Sequence, residues 1–236
     1  MKIKGSVALV TGANRGLGRA FAEALVAQGA KVYAGARDPA SVKIAGVTPM
    51  KLDVTKAADI EAAARQLGDV TLVINNAGIG RGAVAMGDNG IEAMRDEFET
   101  NVFGPLLVSR AFAPTLKKNG SGAIVNVLSV LAWINTGFAS TYCVSKSAAW
   151  GLTNALRNEL QPQGTRVIGL HVGLMDTDMV RELTAPKTKP EIVARQVLEA
   201  IEDGRDEVLA DDVSRLVKKG LSADPGVYLA PLVRPA

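Results

Sequence analysis

The sequence predicts an α/β fold: a doubly wound, parallel sheet with helices on both faces. Two patterns carry this expectation. Short apolar runs rich in Val and Ile alternate with longer segments of helical period, and such alternation implies parallel strands joined by right-handed crossovers. The runs also show little apolar–polar alternation, the mark of strands covered on both faces.

In chain order, the strand candidates are Val7–Val10, Lys31–Ala34, Pro49–Leu52, Thr71–Ile74, Gly122–Leu128, Arg166–His171 and Glu207–Leu209. The helix candidates are Gly16–Gln28, Lys56–Gln66, a long Ile91–Leu116, Thr141–Leu160, Pro190–Asp203 and Asp211–Lys218. Gly29 and Gly164 are helix stops, because glycine accepts the left-handed conformation that ends a helix. Gly78–Gly90 and Leu183–Pro190 read as loops. No linker, repeat or low-complexity stretch divides the chain, so residues 1–236 are expected to form one domain.

Composition narrows the function classes. The chain is 47% hydrophobic and 22% charged, ordinary for a protein with a sizeable core. A net charge of +3 without a basic run argues against nucleic acid. One Cys and one His exclude a disulfide framework and leave no metal site to expect. Val7–Val10 is too short for a signal-peptide core, and Ala123–Ile134, interrupted by Asn126 and Ser129, is too short for a membrane span. A soluble, cytoplasmic protein is expected.

The first strand runs into Thr11-Gly12-Ala13-Asn14-Arg15-Gly16-Leu17-Gly18, and a helix follows. Gly12 lets the chain turn sharply off the strand. Gly16 lets the backbone approach a pyrophosphate at the helix N-terminus. Gly18 lets helix and strand pack closely. A glycine loop alone is weak evidence, but strand–loop–helix is the context that a phosphate site requires. The spacing differs from G-x-G-x-x-G, and the Lys-Ser/Thr of a Walker A loop is absent.

The second strand ends near Ala36, where an acid would bind both ribose hydroxyls of NAD. Arg37 follows, and Arg15 lies in the glycine loop. Two guanidinium groups suit a 2′-phosphate, so NADP(H) is preferred, with NAD(H) possible. The competing reading leaves Arg37 solvated and gives the ribose to Asp38.

Tyr142 and Lys146 are four apart on a predicted helix and share a face. Ser129 ends the preceding strand, and Asn101 sits within the long helix pattern. A hydride arriving at a carbonyl carbon leaves charge on oxygen, which needs a proton donor and a second donor to hold it. An ammonium ~4–5 Å from the phenol contributes about 3–4 kcal/mol at an effective dielectric of ~20. That lowers a phenol by roughly 2–3 units. Ser129 would orient the substrate oxygen, and Asn101 could hold a water linking Lys146 to solvent. Each residue alone has a bland meaning, packing or a turn. Their joint presence after a phosphate loop is not bland.

In these residues the chain resembles the compact short-chain dehydrogenases/reductases over nearly its whole length. The matching motifs are Thr11–Gly18, Asp53-Val54, Asn75-Asn76-Ala77-Gly78, Asn101, Ser129, Tyr142 with Lys146, and Gly173 with Thr177. The resemblance implies a seven-stranded Rossmann sheet. It places Asp53-Val54 at the adenine, Asn76-Ala77-Gly78 along the cofactor ribose, Lys146 on the nicotinamide ribose, and a homodimer or homotetramer through the helices of Asn101 and Tyr142. Where the family usually has Pro-Gly after the sixth strand, this chain has Val172-Gly173, which implies a less rigid turn and weakens the case for Thr177.

The expected activity is reversible reduction of a ketone or aldehyde. The alternative is a dinucleotide-sensing regulator without turnover, against which Ser129, Tyr142 and Lys146 argue. A sugar-nucleotide epimerase would need a larger C-terminal domain. His171 and Cys143 read as structural residues. Leu131, Trp133, Phe138, Met175 and Met179 are candidate pocket linings.

Overall fold

The computed structural model describes residues 1–120, 122–178, 182 and 184–229. Met179 and Leu183 lie outside the described residues. Seven strands form one parallel sheet: β1 (Val7–Thr11), β2 (Lys31–Ala36), β3 (Val47–Lys51), β4 (Leu72–Asn75), β5 (Ala123–Val127), β6 (Arg166–His171) and β7 (Glu207–Leu209), in the order β3-β2-β1-β4-β5-β6-β7. The order reverses between β1 and β4, so a crevice opens at their carboxyl ends.

Strict alternation along each strand feeds two apolar layers. Ala8, Val10, Ile74, Val125 and Ile168 face α1 (Gly16–Ala27) and α6 (Pro190–Asp203). Leu9, Val73, Ile124 and Val167 face α2 (Ala57–Gln66), α4 (Gly104–Lys118) and α5 (Ser140–Leu160). Both faces need apolar residues, which is why the strands read as continuous apolar runs. The remaining helices are α3 (Gly90–Phe98) and α7 (Asp212–Gly220).

The expected helix Ile91–Leu116 is corrected. The chain forms α3, then a single π turn over Glu99–Phe103, then α4. Pro105 explains the break: it has no N–H for the Asn101 carbonyl four residues earlier, so the α pattern cannot continue. Two strand boundaries also shift: β2 runs two residues further, to Ala36, and β3 starts at Val47 rather than Pro49. No helix among the described residues is long and apolar enough to cross a membrane.

Candidate active site

The glycine loop lies at the carboxyl end of β1. Gly12 and Gly16 have φ of +63° and +53°, a region that costs other residues strain. A Cβ on Gly18 would run into the Gly12 carbonyl, so α1 starts hard against the strand. Thr11 and Asn76 lock the loop to the end of β4. The Thr11 hydroxyl accepts from the Asn76 and Ala77 amides at 3.0 and 2.9 Å, and Asn76 Nδ2 donates to the Thr11 carbonyl at 2.9 Å.

This cradle fits a pyrophosphate. Arg15 stands at the N-cap of α1 without a capping side-chain bond, and the first turn carries no acid. No side chain of its own caps the amides of this turn, and a helix N-terminus of this kind favours an anion. Leu17 and Val54, expected at the cofactor, bury their side chains in the two cores, which leaves only their backbone to face a ligand. Asn14 is half-buried in the same loop. Thr177 comes close to Gly16, its methyl 3.3 Å from where a Cβ would stand.

Around the end of β2, Ala36 is buried and Arg37 exposed. The Asp38 carboxylate accepts from the Ala40 amide at 2.9 Å and caps its own turn. Asp53 accepts from the Thr55 amide and hydroxyl at 3.0 and 2.8 Å. Burial works against its ionisation, but those bonds and the charges of Lys56 and Arg37 outweigh it and hold the carboxyl low. Arg15 pairs with Asp178 at 3.3 Å.

Ser129, Tyr142 and Lys146 meet beyond the end of β5. Ser129 follows the strand and caps a 3-10 turn, its hydroxyl accepting from the Leu131 amide at 3.1 Å. Lys146 is buried, and its Nζ donates to the Val127 carbonyl at 2.9 Å. Burial alone lowers its pKa to about 8. The ammonium faces the Tyr142 ring, 5.6 Å from its centre.

Burial of the hydroxyl end pushes Tyr142 up, a hydrogen bond with the Ser129 hydroxyl works the other way, and Cys143 and Glu97 add to the rise. The residue as a whole is only half-buried, so the desolvation acts at the phenol's tip.

Asn101 spends its side chain on scaffolding. Oδ1 accepts from the Ile79 amide and Nδ2 donates to the Ile79 carbonyl, both at 2.9 Å, while Nδ2 also donates to Ser145 Oγ at 2.9 Å. Both of its N–H donors are used, so a water held for Lys146 would have to donate to the second lone pair of Oδ1 or use another atom of this turn. Gly78 lies between the two: a Cβ there would stand 3.2 Å from Asn101 Oδ1 and 3.7 Å from Lys146 Nζ.

Sequence reasoning missed three supports. Ser145 ties Asn101 to α5 and donates to the Tyr142 carbonyl at 2.8 Å. Asn75, Asn126 and Thr153 form a buried chain from β4 through β5 to α5, at 2.9 and 3.0 Å. Asp211 accepts from the Gly173 amide at 2.6 Å and caps α7 at the Ser214 amide at 2.8 Å. The Val172-Gly173 turn is thus held by a hydrogen bond to Asp211 where the family usually has proline. Polar residues inside apolar strands, Asn75 and Asn126, were the available signal. Trp133 is buried in a satellite cluster with Val130, Ile134 and Val217, while Leu131 and Phe138 are half-buried. Cys143 is buried.

A parallel sheet with a glycine loop at its switch point is the arrangement of a nucleotide-binding α/β protein. Residues 6–188 match the family model for short chain dehydrogenase, and the chain belongs to that family of NAD(P)-dependent oxidoreductases. Among curated relatives, the 3-oxoacyl-[acyl-carrier-protein] reductase of Escherichia coli K12 is 34% identical over 199 residues, covering 78% of this chain and 79% of the relative. The 1-deoxy-11-beta-hydroxypentalenate dehydrogenase of Streptomyces exfoliatus is 32% identical over 239 residues, covering 95% and 82%. Among solved structures, a short chain dehydrogenase from Burkholderia cenocepacia J2315 in complex with NADP superposes with TM-score 0.91 at 42% identity, covering 95% of this chain and 96% of the other.

Lys146 has a stability consequence. Its folded pKa, about 8, lies below the unfolded 10.5, so the folded state bears the burial cost in full below pH 8 and is relieved of it as pH rises toward 10.5. Lys146→Met, after losing one hydrogen bond to Val127, should be about 1–2 kcal/mol more stable at pH 7. Urea melts of the cofactor-free proteins at pH 7 and 9.5 should show the gap closing at the higher pH. A variant less stable at pH 7 contradicts this account.

Proposed function

We propose that this oxidoreductase reduces a ketone or aldehyde with NADPH, reversibly, using Tyr142 as proton donor, Ser129 as the donor that orients the substrate oxygen, and Lys146 as the charge that tunes the phenol. The convergence of these three side chains beyond the end of β5, alongside the glycine cradle, carries the reading. A bound nicotinamide dinucleotide would supply the hydride. The chain's own part is then a pair of donors. The Ser129 hydroxyl favours ionisation of the Tyr142 phenol, and with both side chains beyond the end of β5, one substrate oxygen can be held by both. Lys146, fixed to the Val127 carbonyl, keeps a positive charge by the phenol ring as its proton leaves. Gly12, Gly16 and Gly18 with the α1 amides would hold the pyrophosphate, and Asn76, Ala77 and Gly78 would flank the ribose.

NADP(H) is favoured over NAD(H) by the buried Ala36 in place of an acid, by Asp38 being spent on its own turn, and by the exposed Arg37. The Arg15–Asp178 pair is a surface pair, worth little, and Arg15 can leave it for a phosphate. Support also comes from the relative at 42% identity, solved with NADP.

Exposed Ile91, Phe103 and Val144, beside a groove of about 390 Å³ lined by Ile91, Met94, Phe98 and Phe103, make the α3–α4–α5 face the place where two copies would meet.

Tyr142→Phe should lower kcat by about 10²–10⁴-fold across a panel of carbonyl compounds, followed as NADPH absorbance; wild-type turnover in that variant would remove the phenol from the mechanism. Arg37→Ala should cut kcat/KM for NADPH by about 10–100-fold, the worth of a charge-assisted bond, and for NADH by less than about threefold. An unchanged preference would take Arg37 out of the cofactor argument. Light scattering after size exclusion should show a dimer or tetramer that Phe103→Glu breaks to monomers.

A further inference from the structure

His171 ends β6 directly beneath the Ser129 loop, fully buried. Its Nδ1 lies 3.1 Å from the Ser129 carbonyl oxygen. Its ring stacks on Trp133, centres 3.7 Å apart and planes 18° apart. Trp133 in turn meets Trp150 edge-on at 6.2 Å. Burial pulls the imidazole down to about 4, so the ring is neutral at ordinary pH, and the nitrogen facing a carbonyl must be the one bearing hydrogen. Nε2 is then a bare acceptor without a hydrogen-bond partner among the described residues.

Three charged groups face this ring. Glu207 on β7 has Oε1 3.8 Å from Nε2. Lys218 on α7 holds that carboxylate at 2.8 Å and lies 4.9 Å over Trp133. Arg157 on α5 is the third. Pairing of the sheet does not need the imidazole, since β6 is already bonded to β5 and β7 by its backbone. What the ring joins is the peptide of Ser129 and the plane of Trp133.

We propose that His171 is a positioning residue for carbonyl reduction: one imidazole fixes the Ser129 peptide through Nδ1–H and the Trp133 plane through stacking, so the oxygen-orienting hydroxyl and the aromatic support of its loop are set as a unit. The proposal rests on the Ser129–Tyr142–Lys146 reading. The Ser129 carbonyl also accepts from the Ala132 amide at 3.1 Å, and its hydroxyl caps the turn. The peptide plane beside it therefore sets where Oγ points. Swinging that plane moves Oγ by an ångström or so, and a misplacement of ~1 Å at a reacting centre costs about 10²-fold in rate.

Two variants separate the two contacts. His171→Phe keeps a ring against Trp133 and loses the N–H. His171→Asn keeps an N–H near the Nδ1 position and loses the ring. The assay is steady-state NADPH oxidation with a carbonyl compound that the wild type reduces, alongside thermal melts and tryptophan emission.

His171→Phe should fold, keep wild-type emission and cofactor KM, and lose about 10–100-fold in kcat. His171→Asn should recover kcat to within about fivefold of wild type while its tryptophan emission shifts and its carbonyl KM rises. The kcat–pH profile should keep its shape in both, because the ring holds no mobile proton at working pH. Wild-type kcat in a folded His171→Phe overturns the proposal, as does loss of a limb of the pH profile. If neither His171 variant folds, Trp133→Leu decides: it should raise carbonyl KM with kcat held, and a wild-type KM overturns the stacking role. Tyr142→Phe is run in parallel. Turnover in that variant faults the underlying mechanism, whereas a dead Tyr142→Phe beside a fully active His171→Phe faults His171 alone.

Discussion

A buried ammonium organises the carboxyl edge of this sheet. Lys146 is almost wholly shielded from water and is anchored to the Val127 carbonyl at 2.9 Å. Burying a charge beside a neutral carbonyl is unfavourable, and the lowering of Lys146 to about 8 reflects that. The surrounding fold has to oblige the side chain to stay. It does so by fastening α5 at several points: Ser145 to Asn101, Ser147 to the Ala132 carbonyl at 2.9 Å, and Thr153 to Asn126. With the helix pinned, neither Lys146 nor Tyr142 can withdraw to water without disturbing the core.

The same economy governs the rest of the site. Asn75, Asn76 and Asn126 are polar side chains at the ends of otherwise apolar strands, and each is committed to a neighbouring element. Such polar links, though the buried Asn75 Oδ1 has no hydrogen-bond partner among the described residues, favour one arrangement where apolar contacts alone would tolerate several. The exposed Arg37 and the Tyr142 hydroxyl are left with lighter structural duties, whereas the Ser129 hydroxyl also caps its own turn.

The C-terminal part of the chain, past the residue-188 limit of the family match, also reaches the site. Asp211 holds the turn after β6, and Val217 and Lys218 lie against the loop that follows Ser129. A segment that reads from its sequence as plain strand and helix therefore buttresses the loop after Ser129. Mutations in α7 are placed to alter the site without touching it.

The sequence by itself determined the sheet, since two-sided burial writes continuous apolar strands and helical period writes the connections. It also determined the glycine loop, because only glycine tolerates those φ angles and the contact between Gly18 and Gly12. The spacing of Tyr142 and Lys146 was legible because four residues make one helical turn. Even the break at Asn101 was present in the sequence as Pro105, though helical period masked it. Tertiary structure alone decided where Lys146 spends its charge, that burial raises the Tyr142 phenol, that Leu17 and Val54 turn into the cores, and that Asp211 and His171 reach the site. Those outcomes depend on distances between residues far apart in the chain and on how much water is excluded there, and neither quantity is encoded in local spacing.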